Sequence, residues 1–507
     1  MVDTHSPIHC APSLLGVTCT TPQEPLAEQF KKLFPNPLAP KAVVIVPSLT
    51  LDNEILGKIS GHIHYEERLL CLLMLLRMPR THIVYVSSMP IDEVIIDYYL
   101  HLLPGITGCH ARKRLTLLCC YDASARSLTE KILCRPRLIE RIRASIPPGY
   151  SAHLTGFNIT PLEETLAEQL GIPLYGCPAS LAYWGSKSGS REVFRRAGVL
   201  MPPGYENLNS MEEVALGLLE LKKDFPDLRK AMVKLNDGFS GDGNAVFRYP
   251  EPFSGSLSED DLRDHLSMVA DGLDYEMFAQ KMAAMGGIVE AFIDGEVKTS
   301  PSVQCRINPL KEVKILSTHD QVLGKDGQVY VGATFPAHED YRKDIGLLGR
   351  RIAETLRDLG AVGRLGVDFI SVKNGDTWQH YAIEINLRKG GTTHPYLMLQ
   401  FLTDGQYDYE KGIYEMPNGQ TRYYYATDGL QHERYKTLTP EDLIDLAICN
   451  ELHFDGTTQD GVMFHLIGAL SEYGKLGVVC VGKSPAQALE FYHRTIEVLN
   501  RETEVVE

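Results

Sequence analysis

Apolar residues along this chain follow two patterns. Near the start they run without interruption: "KAVVIVPSL" from Lys41, "THIVYVSS" at 81–88 and "RLTLLCC" at 114–120 each end in turn chemistry. Unbroken runs of this length suit strands covered on both faces, as in a parallel sheet. Helical spacing at 64–77 and 91–103 separates them, so a small open α/β layer is predicted over residues 41–180. The run "LLCLLMLL" at 69–76 follows Glu66, Glu67 and Arg68 and stops at Arg77, which reads as a buried amphipathic helix. It falls well short of the about 20 apolar residues that a membrane span needs.

From about residue 181 the pattern changes to helices with clear starts, such as Ser210 with Glu213 as a capping box, interleaved with strands and Gly-rich turns. This block, 181–405, reads as α+β. Past it, the Tyr- and Gly-rich "GQYDYEKGIYEMPNGQTRYYY" leads to a smaller C-terminal α+β domain, 406–507, with helices opened by Thr439-Pro440 and by Ser484-Pro485 with Gln487. The last helix carries Leu489, Tyr492, Ile496 and Leu499 on one stripe, as packing against the body requires. Residues 1–40, rich in Pro, Thr and Gln, read as a loosely attached arm. The fold class is α/β followed by α+β in several domains, without internal repeats.

Size agrees, since 507 residues exceed one ordinary core and call for roughly two to four packed units. A composition of 44% hydrophobic and 23% charged residues is that of a soluble globular protein. The net charge of -15 argues against a non-specific hold on nucleic acid or acidic lipid, so any anionic ligand must find local cations. Eleven cysteines without a C-x-x-C pair fit unpaired thiols in a reducing cytoplasm. The opening "MVDTHSPIHCAPSLLG" has no basic start before an apolar run, so no secretory signal is expected.

The chemistry concentrates in the middle block. In "YAIEINLR" a period of two puts Ile383, Ile385 and Leu387 on one face and Glu384, Asn386 and Arg388 on the other. The preceding "GRLGVDFISVKNGDTWQH" reads as a strand and turn that bring Asp368 back towards Glu384 and Asn386. Three oxygen donors then converge on a hard cation, and Mg²⁺ completing its shell with water and ATP phosphate oxygens suits them. A two-residue Asn374-Gly375 loop would turn Asp368 to the wrong face, so an odd-length loop or a bulge is predicted.

"AMVKLNDGFSGDGNAVF" supplies a strand with Lys234 and a loop running through Gly238, Ser240, Gly241 and Gly243, which reads as a phosphate cradle or as a plain hairpin. Lys187 precedes a helix that Ser190 is expected to open. The strand "GGIVEAFIDGE" offers backbone groups of Ala291, Phe292 and Ile293 to an adenine edge, with Glu290 and Glu296 serving its amino group or the ribose hydroxyls. His319-Asp320 would point to opposite faces and reads as structural or substrate-lining.

The ordered series of Lys187, Lys234 with its glycine loop, "IVEAFIDGE", Asp368 and Glu384-x-Asn386-x-Arg388 resembles the ATP-grasp ligases. Within them, "GSKSGSREVFRRAGV", "STHDQVLG" and "EINLRKGGTTHP" resemble the pheganomycin-type peptide ligases, and "GHIHYEERLL" resembles their N-terminal pre-ATP-grasp domain. The resemblance runs from about residue 41 to 500. It implies an ATP-grasp fold behind a Rossmann-like domain, and a ligase that couples a carboxylate to an amine through an acyl phosphate. Its ligands would be ATP and two Mg²⁺ ions, with Mn²⁺ as a substitute, and small amino acid or peptide substrates, with a homodimer as the default assembly. Asp368, Glu384 and Asn386 would hold the metals and Lys187 and Lys234 the phosphates. Arg388 would hold the reacting carboxylate or the transferring phosphoryl group. Arg306 and Arg364 are either further site arginines or ordinary ion-pair residues. Some relatives carry an arginine two residues before the first metal acid, where this chain has Gly366. Gly390, Gly391, Thr392, Thr393 and His394 are expected at the substrate edge, with His394 alternatively capping a helix. The competing readings are a scaffold that binds ATP without turnover, and acyl transfer to a non-amine acceptor.

Overall fold

Val43, Ile45, Ile83 and Tyr85 pack to one side of a parallel sheet, and Val44, Val46, Val84 and Val86 pack to the other. The expected doubly covered layer is therefore present, in the order Leu115–Cys119, Thr81–Ser87, Lys41–Val46 and Ser151–Gly156. The fourth strand, "SAHLTG", has too few apolar residues to stand out from its sequence. The computed structural model describes residues 23–33, 35–51, 56–57, 59–238, 243–253, 255–270, 272–324 and 330–504. Part of the arm is ordered as a helix, Gln23–Leu33, with Leu26, Phe30 and Leu33 buried.

The run at 69–76 lies in a 3-10 helix, His62–Arg77, that is not amphipathic. It is wedged between the parallel sheet and the helix Thr393–Thr403, so Glu66 and Glu67 are buried with the leucines. Ser88 donates to the Glu66 carboxylate from both its amide and its hydroxyl. The Gly468 amide donates to Glu67 at 3.1 Å, which ties this element to the C-terminal segment.

Two large antiparallel sheets carry most of the rest, beside a small ribbon of Gln406–Asp408 with Ile413–Glu415. A five-stranded sheet runs Gly204–Leu208, Gly287–Ala291, Lys230–Leu235, Asn244–Arg248, Leu266–Met268. Helices Met211–Asp224 and Tyr275–Met285 close one face over Val214, Leu218, Val233, Phe278 and Met282. Ser210 caps the first of these helices, but Glu213 takes the Asn209 amide, so the reciprocal half of the predicted box is absent.

A nine-stranded sheet is built around Gly363–Asn374 and Thr377–Asn386. Its Val303, Cys305, Leu365, Val367, Phe369, Ala382 and Ile385 face the helices Arg342–Asp358 and Lys187–Ala197. Strands Tyr423–Gln431, Lys475–Gly482 and Gly461–His465 of the C-terminal segment continue this same sheet, and their apolar residues share one core with the N-terminal layer. The capping box of Thr439 with Asp442 is present, and Ser484 caps the last helix. Leu499 on that helix is buried and Tyr492 and Ile496 are half-buried, but Leu489 faces solvent. Among the described residues no helix is long and apolar enough to cross a membrane.

Candidate active site

The face of the nine-stranded sheet opposite the helices is polar, and the predicted bulge explains how. The strands join through a two-residue turn, Asn374 opposite Thr377, and stay in register to Phe369 opposite Ala382. The next pair is Asp368 opposite Glu384, which leaves Ile383 as the extra residue. Without it Asp368 and Glu384 would lie on opposite faces. The bulge also corrects the expected alternation, because Ile383 turns into the cavity beside Glu384 while Ala382 takes the buried side.

Asn386 donates to Asp368 Oδ2 at 3.0 Å, and Gln321, from the strand Val313–Leu323, donates to Oδ1 at 2.9 Å. Burial first, and then the charge of Glu384, push the Asp368 carboxyl up to about 7. Burial would also raise Glu384, but the Lys187 ammonium paired with it, with Arg388 behind, holds it below its ordinary value. Two carboxylates and an amide on one face, one acid strained as an anion, form a donor set that a divalent cation would relieve.

Lys187 owes its position to the start of its helix. Ser186, not Ser190, is the N-cap, and the Ser188 amide donates to Asn236 Oδ1 at 2.9 Å, which fastens this helix end to the strand of Lys234. Ser190 instead accepts the Ile385 amide at 3.1 Å, locking the helix against the bulged strand. A Cβ on Gly189 would lie 1.9 Å from the Tyr183 carbonyl oxygen, so no other residue fits there without backbone movement.

On the five-stranded sheet, Lys234 lines the same cavity and pairs with Glu290. Glu290 lines the cavity too, but its carboxylate is taken by Lys234 and by Arg191 at 3.3 Å, in place of the amino group or ribose that the sequence suggests. Glu296 is exposed and does not line the cavity. The Ala291 and Phe292 amides are taken by the Pro203 and Lys230 carbonyls at 2.7 and 3.3 Å, so two of the three amides expected at an adenine edge are already engaged. Lys298, which stands 4.3 Å from the Phe292 ring centroid, was not anticipated. Gly238 and Gly243 line the cavity, whereas Ser240 and Gly241 lie outside the described residues.

The cavity measures about 1070 Å³ and gathers Lys187, Lys234, Asp368, Glu384, Asn386 and Arg388. Burial lowers Arg388 while Glu384 and Asp368 hold it up. Gly390, Gly391 and Thr392 line the edge. Thr393 lies behind, accepting the Gly390 amide at 3.0 Å and donating to Gln304 at 3.3 Å. A Cβ on Gly366 would come within 2.8 Å of Gln304 Nε2, so Gln304 fills the room an arginine side chain would need. His394 is also behind the wall: it donates to the Arg68 carbonyl at 3.1 Å and packs 4.2 Å from His465. His319 bonds Tyr424 at 2.6 Å and Asp320 accepts from Tyr341 at 2.6 Å, on opposite faces.

Arg306 and Arg364 do not line this cavity; they pair with each other across two strands farther along the sheet. The far wall instead comes from both ends of the chain, as Arg68, stacked 4.1 Å over Tyr65 and paired with Asp428, and as Lys475, donating to the Tyr65 hydroxyl at 2.7 Å. Only "GHIHYEERLL" hinted at any of these.

Comparison with known proteins gives the same picture. A family model described as IQCH-like, ATP-grasp matches residues 178–249 and 264–410, and one described as PGM1 C-terminal domain matches 442–495. The chain is 32% identical over 486 residues to an L-propargylglycine--L-glutamate ligase of Streptantibioticus cattleyicolor, covering 93% of this chain and 96% of that protein. Among solved structures, an ADP complex of N5-carboxyaminoimidazole ribonucleotide synthetase matches with a TM-score of 0.53 at 14% identity, over 92% of this chain and 99% of that one. A biotin carboxylase from Campylobacter jejuni matches with a TM-score of 0.54 at 16% identity, over 90% and 91%. At these identities the two structures speak to the fold alone.

Proposed function

Because the chain belongs to the ATP-grasp family, in the branch of the pheganomycin-type ligases, we propose that it joins the carboxylate of one amino acid or short peptide to the amine of another. In the first step a carboxylate oxygen attacks the γ-phosphorus of ATP, the bond to the β–γ bridging oxygen breaks, and ADP leaves. In the second an amine attacks the resulting acyl phosphate, the C–O bond breaks, phosphate leaves, and nitrogen loses a proton. The carrying observation is that one cavity holds Lys187 and Lys234 together with Asp368, Glu384, Asn386 and Arg388.

Two anions must meet in this reaction, so the residues' work is to offset charge and exclude water. Lys187 and Lys234 bind phosphate oxygens, each held ready by a carboxylate. Arg388, between the acids and the Gly390 edge, orients the reacting carboxylate. Asp368, Glu384 and Asn386 hold two Mg²⁺ ions, replaceable by Mn²⁺, which when bound supply charge neutralisation on the transferring group. Arg68, Lys475 and Asp428 on the far wall suit the charged head group of an amino acid. The relative joins L-propargylglycine to L-glutamate, so L-glutamate is the first donor to try. We place the enzyme in a reducing cytoplasm, in keeping with the free cysteines of the described residues, and as a homodimer.

The test is ADP release by purified protein with ATP, Mg²⁺ and pairs of amino acids, with product mass read in parallel. ADP release that requires both an acid and an amine, with a product lighter than their sum by one water, supports the proposal. Release needing neither refutes it, and no release with any pair refutes it in favour of the scaffold reading.

A further inference from the structure

Arg306 and Arg364 occupy directly opposed positions on neighbouring strands, where side chains on one face approach within about 5 Å and like charges repel. Successive pairs on that face are Ser302 with Asp368, Gln304 with Gly366, and Arg306 with Arg364, so the arginines stand roughly 13 Å from the metal acids. The hydrogen bond from Thr393 to Gln304 lies between the two places.

Among the described residues, no carboxylate forms an ion pair with either arginine. Burial first, and then the charge of Arg306, lower Arg364, against Tyr175, Tyr396 and Cys71, and a third cation, Lys389, is lowered by burial and then by Arg364. Lys389 is satisfied by neutral acceptors, Thr155 Oγ1 at 3.1 Å and the Gly156 carbonyl. The Nε of Arg306 is buried without a hydrogen-bond partner, and so is the hydroxyl of Tyr175, which both arginines influence. Two orphan donors, Arg306 Nε and the Tyr175 hydroxyl, thus lie beside the Arg364 guanidinium at the junction of the N-terminal layer with the large sheet, on side chains that are half-buried. Nothing among the described residues accepts from them.

Such an arrangement is costly empty, because buried donors without acceptors and paired cations without a counter-ion each destabilise the fold. We propose that Arg306, Arg364 and Tyr175 form a half-buried oxyanion site, separate from the nucleotide cavity, that takes one carboxylate or phosphate group. The planar guanidinium forks and the phenol O–H match the two or three acceptor oxygens of such a group. The site does not depend on the ligase reading and can stand if that reading fails.

The test is thermal unfolding of the full chain in buffer free of both anions, with potassium phosphate, potassium acetate or potassium chloride added at equal ionic strength. Phosphate or acetate should raise the unfolding temperature of the wild type by roughly 2–4 °C over chloride, and the larger response names the source of the oxyanion. Arg364→Leu should abolish that difference and, with the repulsion gone, unfold no lower than the wild type in anion-free buffer. Tyr175→Phe, which deletes only a hydroxyl, should lose at least half of the response, whereas Lys234→Met in the nucleotide cavity should keep it. Equal behaviour of the wild type in all three salts overturns the proposal. So does a response that survives both Arg364→Leu and Tyr175→Phe, or one that disappears in Lys234→Met.

Discussion

Replacing Asp368 with Asn should make the metal-free protein more stable and the enzyme inactive. Burial and the neighbouring Glu384 raise this carboxyl from 3.8 to about 7. Between pH 4 and 7 the folded protein keeps a proton that the unfolded chain has released, so stability of the metal-free wild type falls as pH rises through that window. About three pKa units at roughly 1.4 kcal/mol each set a ceiling near 4 kcal/mol at pH 8, and contact with the open cavity reduces it to about 2–4. Asn offers one oxygen and one NH₂ to two amide donors, Gln321 and Asn386, so one hydrogen bond must turn or be lost, at about 1 kcal/mol. A net gain of about 1–3 kcal/mol remains for Asp368→Asn at pH 8, and none at pH 4. Thermal unfolding in EDTA at both pH values measures it, and Mg²⁺ with ADP should then stabilise the wild type and leave the variant unmoved. Turnover should fall by about 10²–10³ through loss of an anionic ligand. A variant that unfolds below the wild type in EDTA at pH 8, or that keeps a tenth of wild-type ADP release, would refute the reasoning.

Gly189→Ala places a Cβ 1.9 Å from a backbone oxygen and should cost more than about 3 kcal/mol, visible as insoluble protein or a markedly lower unfolding temperature. Ser190→Ala removes the acceptor for the Ile385 amide and should cost about 1–3 kcal/mol while lowering kcat more than it changes KM for ATP, since Lys187 and Glu384 lose their registration. Glu290→Gln deprives Lys234 and Arg191 of a shared buried partner, so KM for ATP should rise about tenfold and stability drop by about 3–5 kcal/mol; an unchanged KM would detach Glu290 from nucleotide binding.

The parts of the fold written in local pattern were legible. Continuous apolar runs located three of the four parallel strands, and the demand that Asp368 and Glu384 share a face called for an odd-length loop or a bulge, of which the structure has the bulge, at Ile383. What escaped was set by distant chain. Nothing local to Glu66 and Glu67 says that Ser88 and Gly468 will hold them inside. Glu290 looked free to meet a ligand because its partners Arg191 and Lys234 come from 99 and 56 positions away. Ser190 looked like a cap, but Ser186 sits where the chain turns from extended to helical and Ser190 is spent on another strand. The far wall of the cavity is the extreme case, because Arg68 and Asp428 are 360 positions apart.

The two ends of one polar sheet face carry opposite imbalances. At the Asp368 end two acids crowd together, and at the Arg306 end two guanidinium groups do. Had the two pairs been interleaved they would have formed ordinary cross-strand ion pairs and stabilised the sheet. Gly366 with Gln304 keeps them two pairs apart, and the side chain filling that gap is neutral. A face arranged this way gives up stability to preserve two separate fields, one suited to a cation and one to an anion. A Gly366→Arg substitution that restored the arginine found in some relatives would displace Gln304 and bring a third guanidinium beside the other two. That crowding disfavours an arginine at Gly366, and Arg388, beyond Asn386 on the neighbouring strand, is the arginine of these that lines the cavity and that the proposed function assigns to the reacting carboxylate.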